Sequence, residues 1–166
     1  MVYPKPKYQK NIIGLEILAS ILSVGRNSRL VKILKEESNL VESIYVDVNA
    51  GELGGLFILE ASCERKDISL VENQINKTID EIFDYKTLTL TEIEKGINIV
   101  KSNYIFNLES STQLSSFFGN DLLWGRKYSI SKLESHLKYW NHLDNFKEIT
   151  QFMQGDKFTL IASPNK

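Results

Sequence analysis

Two histidines, His136 and His142, are the side chains that most readily suggest metal or acid–base chemistry in this sequence. A hydrolytic zinc site on a helix needs two histidines one turn apart and a glutamate that activates water. His136 and His142 are six residues apart, with no glutamate between them. The spacing places them on different helix faces, so we expect two surface histidines and no catalytic or metal-binding residue in this chain.

The other candidate patterns favour structural roles. Cys63 is the only cysteine, which excludes an internal disulfide, and it falls on the apolar side of a predicted strand, as a buried thiol does. The glycine-rich stretch 50–55 lies between two predicted strands, which indicates a hairpin turn and not a phosphate loop. Arg26 and Arg29 could bind an anion at a helix start, but a surface loop with one internal salt bridge is the preferred interpretation.

The composition is that of an ordinary folded domain: 166 residues, 42% of them hydrophobic and 25% charged. The net charge of −1 gives no reason to expect nucleic acid or an anionic membrane as a partner. No apolar run approaches the roughly 20 residues of a membrane span. We expect a soluble protein without disulfides, from the bacterial cytoplasm or periplasm, with an extended segment over residues 1–11 and a single domain over residues 12–166.

The first half of the chain predicts two helices and a hairpin. Residues 12–24 are apolar nearly all round, so this helix must be covered on most sides. Ser28 is the expected N-cap of a second helix that ends near residues 38–39. Apolar and polar residues alternate over 44–49 and again over 56–63, which is the period of half-buried strands.

The second half predicts mainly helices, from apolar residues that recur at steps of three and four: 67–83, 89–108, 110–124, 131–140 and 144–153. Thr89 and Glu92 can form a capping box, and Gly96 indicates close helix packing. Alternation over 158–162 predicts a closing strand. The fold class is therefore α+β, a largely antiparallel sheet with helices packed on one face.

The stretch from Gly25 to Cys63 resembles part of the insulinase/pitrilysin family of zinc metallopeptidases. The resemblance rests on the Ser28-Arg29-Leu30 signature, on the short helix after it, and on a hairpin whose second strand begins Gly-Gly-Leu-Phe. More narrowly, the chain resembles the family's C-terminal-type domain, which lacks the His-x-x-Glu-His zinc motif. The order of elements extends the resemblance over nearly the whole chain.

The resemblance implies one domain of a metallopeptidase clamshell, in which two halves enclose a chamber where peptides are cut. The partner would be a zinc-binding domain of the same polypeptide or of a partner subunit, and the zinc cofactor would lie there and not in this chain. This domain would form part of the peptide-binding chamber and support the zinc domain in peptide hydrolysis. Two alternatives stay open: a non-catalytic assembly or scaffold subunit, and a free-standing α+β binding module.

The resemblance also bears on Lys35 and Glu42. In the family, the last domain of the second half carries an arginine and, seven residues on, a tyrosine that help to hold substrate. Lys35 and Glu42 occupy these positions. Lysine lacks the planar fork of arginine, and glutamate cannot donate a hydrogen bond as a phenol does. The pair is therefore absent, which favours the second domain of the first half or an inactive second-half copy, and leaves the substrate-binding residues unknown.

Overall fold

The computed structural model describes residues 9–50, 54–83, 87–123, 129–153 and 157–163. Two antiparallel strands form the sheet of this part of the chain, and most of the rest is helical, so the α+β class is confirmed. The helices and strands are α1 (Gln9–Ser23), a π-helix (Val31–Glu37), β1 (Ser43–Ala50), β2 (Gly55–Ser62), α2 (Ile68–Phe83), α3 (Leu90–Phe106), α4 (Ser111–Leu123), α5 (Ser129–Trp140) and α6 (Phe146–Met153). Two short 3-10 turns, Arg65–Asp67 and Leu143–Asn145, precede helices α2 and α6.

Helix α1 lies at the centre of the core. Its residues from 12 to 15 and from 17 to 22 are all buried, as its apolar circumference requires. The hairpin strand β1 covers one side, α3 packs along another, and α5 and α6 contact it as well. The helix ends before Gly25, whose φ of 88° is the left-handed conformation that glycine adopts easily. None of the described helices is long and apolar enough to cross a membrane.

The start of α1 differs from the prediction. The helix begins at Gln9, so residues 9–11 are helical and not extended; residues 1–8 lie outside the described part. The reason is tertiary. The Lys10 carbonyl accepts a hydrogen bond from the Trp140 indole at 2.7 Å, and the Lys10 ammonium lies 3.0 Å from the Glu148 carboxylate. Both contacts stabilise an additional helical turn.

The hairpin confirms the predicted alternation. Strands β1 and β2 pair from Ser43 with Ser62 to Ala50 with Gly55. The side chains of Val46, Val48, Phe57 and Leu59 pack against the core, and Tyr45 is exposed. Cys63 follows β2 and is half-buried against the core, in line with a structural thiol.

The closing strand predicted over 158–162 is wrong. Residues 157–163 form no strand, and Phe158 and Leu160 are 87% and 81% exposed. This segment contacts α2 instead: the Thr159 hydroxyl donates to Glu72 at 3.1 Å, and Lys157 pairs with Asp80 at 3.9 Å. Alternation alone does not make a strand, because a strand is held by hydrogen bonds to a neighbouring backbone.

Two glycines allow helices to approach α1 closely. A Cβ at Gly96 in α3 would lie 2.9 Å from Ile17 Cγ2, which confirms the predicted close packing at this residue. A Cβ at Gly14 would lie 2.6 Å from the Trp140 ring and 2.5 Å from Ile149. The contacts of α1 with α3, α5 and α6 thus depend on backbone that carries no side chain.

Gly14→Ala should destabilise the protein because the new methyl group displaces the Trp140 ring. We expect the free energy of unfolding to fall by about 1–3 kcal/mol, the usual cost of overpacking. Urea denaturation measures this effect. The matched control is Gly119→Ala on α4, where a Cβ meets no atom within 4 Å. Alanine should raise the free energy of unfolding there by up to about 1 kcal/mol, because it favours the helix more than glycine does. Equal effects of the two substitutions would contradict the packing argument.

Candidate functional site

The Ser28-Arg29-Leu30 signature attaches the loop after α1 to the start of α3. Arg29 Nε lies 2.7 Å from Glu92 Oε1, and a second guanidinium nitrogen lies 2.9 Å from Glu92 Oε2. The guanidinium also donates to the Thr87 hydroxyl at 2.9 Å. Leu30 is fully buried in the core. Arg29 is thus engaged in a bidentate ion pair and is not available to an anion, while Arg26 forms the predicted surface salt bridge, 3.7 Å from Glu36.

Ser28 does not act as the predicted N-cap. Its hydroxyl donates to the Gly25 carbonyl at 2.7 Å, and only its own carbonyl enters the helix, accepting from Lys32 N–H at 2.8 Å. The buried position of Ser28 turns the hydroxyl back to the preceding loop. The helix that follows is a π-helix over Val31–Glu37, a form for which the sequence carries no recognised signal.

Glu92 connects the Ser28-Arg29-Leu30 signature to the N-terminal cap of α3. Its carboxylate accepts from Thr89 N–H, and the Thr89 hydroxyl accepts from Glu92 N–H, which confirms the predicted capping box. Burial works to raise the pKa of Glu92, but the hydrogen bonds from Arg29 and Thr89 outweigh it and hold the pKa below its ordinary value. A single carboxylate therefore both caps a helix and binds the signature arginine.

The structure brings Lys35 and Glu42 together. The Lys35 ammonium donates to the Glu42 carbonyl at 2.8 Å, and both residues are exposed. Lys35 lies in the last turn of the π-helix, where the helix dipole favours a cation. The contact uses the main chain of Glu42 and not its carboxylate. The pair thus joins the π-helix to the start of the hairpin, and a role in substrate binding stays a prediction.

The histidines occupy different environments. His142 is exposed, but His136 on α5 is half-buried, which corrects the expectation of two surface histidines. His136 Nδ1 is buried and has no hydrogen-bond partner among the described residues. Burial first, and then the charges of Lys132 and Lys10, lower the pKa of His136. In the part of the chain that the structure describes, no three His, Cys, Asp or Glu side chains are grouped to hold a metal.

One polar cluster was missed by the sequence analysis. The Lys10 ammonium, paired with Glu148, also lies 4.0 Å from the centre of the Tyr139 ring, and the Tyr139 hydroxyl donates to Glu148. Desolvation works to lower the pKa of Lys10, but the hydrogen bonds to Glu148 and Tyr139 raise it overall. The cluster closes the start of α1 against α5 and α6. Lys10 is 138 residues away from Glu148 in sequence, so no local pattern signals the cluster.

A groove of about 340 Å³ runs between α1, β1, α3 and α4. Ala19, Val46, Val48 and Val100 provide apolar lining, and Asn103 contributes a carboxamide beside them. The groove is wide enough for side chains of an extended segment. Its lining also includes the carboxylates of Glu16 and Asp47 and the phenol of Tyr104.

Comparison with known proteins assigns these features a context. A family model described as the peptidase M16 inactive domain matches residues 1–100. The chain is 24% identical to an uncharacterised zinc protease of Streptomyces coelicolor, over 72% of this chain and 26% of that protein. It is 26% identical to the mitochondrial-processing peptidase subunit alpha-2 of Dictyostelium discoideum, over 92% of this chain and 36% of that protein.

Two solved structures share the fold. A protease from Helicobacter pylori superposes with a TM-score of 0.74 at 16% identity, covering 92% of this chain and 37% of its own. A peptidase M16 inactive domain from Pseudomonas fluorescens superposes with a TM-score of 0.63 at 15% identity, covering 90% and 34%. The chain therefore spans between 26% and 37% of the length of these four proteins.

Arg29→Ala should destabilise the domain because it leaves the half-buried Glu92 carboxylate without its ion pair. We expect the free energy of unfolding to fall by about 1.5–3 kcal/mol near neutral pH, as measured by urea denaturation. Since the folded-state pKa of Glu92 is lowered, the contribution is present above the ordinary value of 4.5 and is lost as the pH falls through the folded-state pKa. The difference in the free energy of unfolding between wild type and Arg29→Ala should therefore become smaller at acid pH. Arg26→Ala is the control, and a comparable loss there would contradict the assignment.

His136→Gln should reduce the acid sensitivity of the fold. The folded state resists protonation of His136, whereas the unfolded chain accepts it near the ordinary pKa of about 6.5. Wild-type stability should therefore decline as the pH falls below about 6.5, and His136→Gln should decline less. Thermal unfolding at a series of pH values measures the two slopes. The exposed His142→Gln serves as the control, and parallel slopes for wild type and His136→Gln would refute the prediction.

Proposed function

Because the chain belongs to the peptidase M16 family and matches its inactive domain, we propose that it serves as the non-zinc-binding domain of a zinc metallopeptidase. In this role it forms part of a peptide-binding chamber and supports the zinc domain in peptide hydrolysis. The observation that carries the proposal is the inactive-domain match over residues 1–100. This range includes the Ser28-Arg29-Leu30 signature and the hairpin.

The packing of the domain supports a role as a rigid wall. The central helix α1 is buried along its length, and the Arg29–Glu92 pair fixes the loop that leads to the hairpin. A chamber wall must hold its shape while a peptide is positioned against it, since catalysis depends on the orientation of the bound substrate. We propose that the groove between α1, β1, α3 and α4 faces the chamber and takes side chains of an extended peptide.

The proposed partner is a zinc-binding domain, in the same polypeptide or in a partner subunit. Two facts support it: a relative is named a zinc protease, and the chain spans only 26% of that protein. Zinc bound in the partner would polarise the scissile carbonyl and supply an activated water. The contribution of this chain would be binding, orientation and exclusion of bulk water at the chamber.

A second candidate function is a non-catalytic assembly subunit. The similarity to a protein named as a subunit of the mitochondrial-processing peptidase favours it. The two functions differ in the partner that each requires. A supporting domain requires a zinc-bearing M16 domain beside it, and an assembly subunit does not.

The native protein should contain zinc and cleave peptides, whereas residues 1–166 alone should do neither. The test is elemental analysis together with cleavage of a quenched fluorescent peptide, with and without a chelator. It is applied to the protein purified from its own cells through a tag on this chain, and to the isolated chain. A native protein without zinc or cleavage would favour the assembly subunit. Zinc and chelator-sensitive cleavage in the isolated chain would show that a catalytic site lies here after all.

A further inference from the structure

Helix α4 exposes an apolar face. Leu122 and Leu123 are 80% and 73% exposed, and Phe118 lies one turn before Leu122 on the same side. In the last turn of α3, Ile105 and Phe106 are also about half or more exposed. We refer to Phe118, Leu122 and Leu123 as the α4 face. Exposed apolar side chains in one region of a domain mark an interaction surface more often than chance.

The composition of α4 agrees with an interface. Of its 13 residues, only Asp121 is ionisable, and that side chain is buried and engaged within the chain. Apart from the buried central helix α1, the other described helices carry exposed charged residues. Depletion of charge distinguishes the centre of a protein–protein interface from the remaining surface, where charges maintain solubility.

Gly119 supplies an independent observation. It lies in the interior of α4, where glycine costs about 0.5–1 kcal/mol relative to alanine. At Gly14 and Gly96 a neighbouring helix lies too close for a Cβ, which accounts for the glycine. A Cβ at Gly119 would meet no atom within 4 Å. Gly119 shares a face with Leu122 and Leu123, at steps of three and four. A helix from outside the described chain, packed closely against this face, would account for it.

The face is held in place by aromatic packing. The Phe117 ring contacts Tyr104 of α3 edge to face, with centroids 5.9 Å apart, and it contacts the Phe118 ring at the same distance. The Tyr104–Phe117 contact joins α4 to α3, while Phe118 and Leu122 lie on the exposed side of α4.

We infer that the α4 face is the docking surface for an apolar helix of the neighbouring M16 zinc domain; this rests on the proposed function. The lengths of the related proteins indicate which partner covers the α4 face. The chain spans 36% of the mitochondrial-processing peptidase subunit and 37% of the solved protease, so each of those proteins contains more polypeptide outside the matched part than within it. An apolar, charge-free helix face on such a fraction of a larger protein fits an interface between domains.

Site-specific photo-crosslinking tests the inference in the native protein. A benzophenone amino acid replaces Leu122, and in a matched control it replaces Leu70, a leucine of α2 that is 53% exposed. After irradiation, mass spectrometry identifies the cross-linked peptide. We expect Leu122 to cross-link to a helix of a zinc-bearing M16 domain, in the same polypeptide or a partner, at a yield at least tenfold above that of Leu70. A cross-link to a second copy of this chain, or equal yields at both positions, would overturn the inference.

A second variant protects the test against misfolding. Gly119→Leu adds a side chain where the described chain leaves open space, so the thermal stability of the isolated chain should not fall. In the native protein it should block the approach of the partner helix and reduce the Leu122 cross-link at least tenfold. An unchanged yield would overturn the inference. If zinc is present in the native protein but the α4 face does not cross-link to its domain, only this inference fails; if no zinc domain is present, the proposed function fails first.

Discussion

The structure depends on the need to cover α1. A helix that is apolar on nearly every side is stable in water only when neighbours bury its whole circumference. The hairpin, α3 and the α5–α6 pair provide that cover, and each approaches a different side of the helix. Gly14 and Gly96 make the approach close enough, because a methyl group at either position would collide with Trp140 or Ile17.

The residues that carry the family resemblance have structural roles in this chain. Ser28 turns back to the loop, Arg29 binds the helix-capping Glu92, and Leu30 is buried. None of the three presents a reactive group to solvent. Lys35 likewise binds the main chain at Glu42, which is compatible with any side chain at residue 42. These structural roles agree with our proposal that the chemistry of the peptidase lies in the zinc domain and that this chain contributes shape and support.

The candidate site was predictable only where local rules governed it. The capping box of Thr89 and Glu92 follows from spacing alone, since both side chains act on the same helical turn. The partner of Arg29 did not follow, because 63 residues separate it from Glu92. The half-buried state of His136 and the Lys10–Glu148 pair were missed for the same reason. The closing strand failed because its alternation says nothing about whether a neighbouring strand is there to pair with it.

By itself the sequence determined the positions of most helices, the alternation of the two hairpin strands and the apolar character of α1, because periodicity, glycine and capping residues act within a few residues along the chain. It also determined that the two histidines are spaced wrongly for a zinc helix. Only the tertiary structure decided which residues Arg29 and Lys10 bind, that the segment after Ser28 forms a π-helix, and that α4 keeps an apolar face outside. Those outcomes depend on distances between distant parts of the chain, which no local pattern encodes.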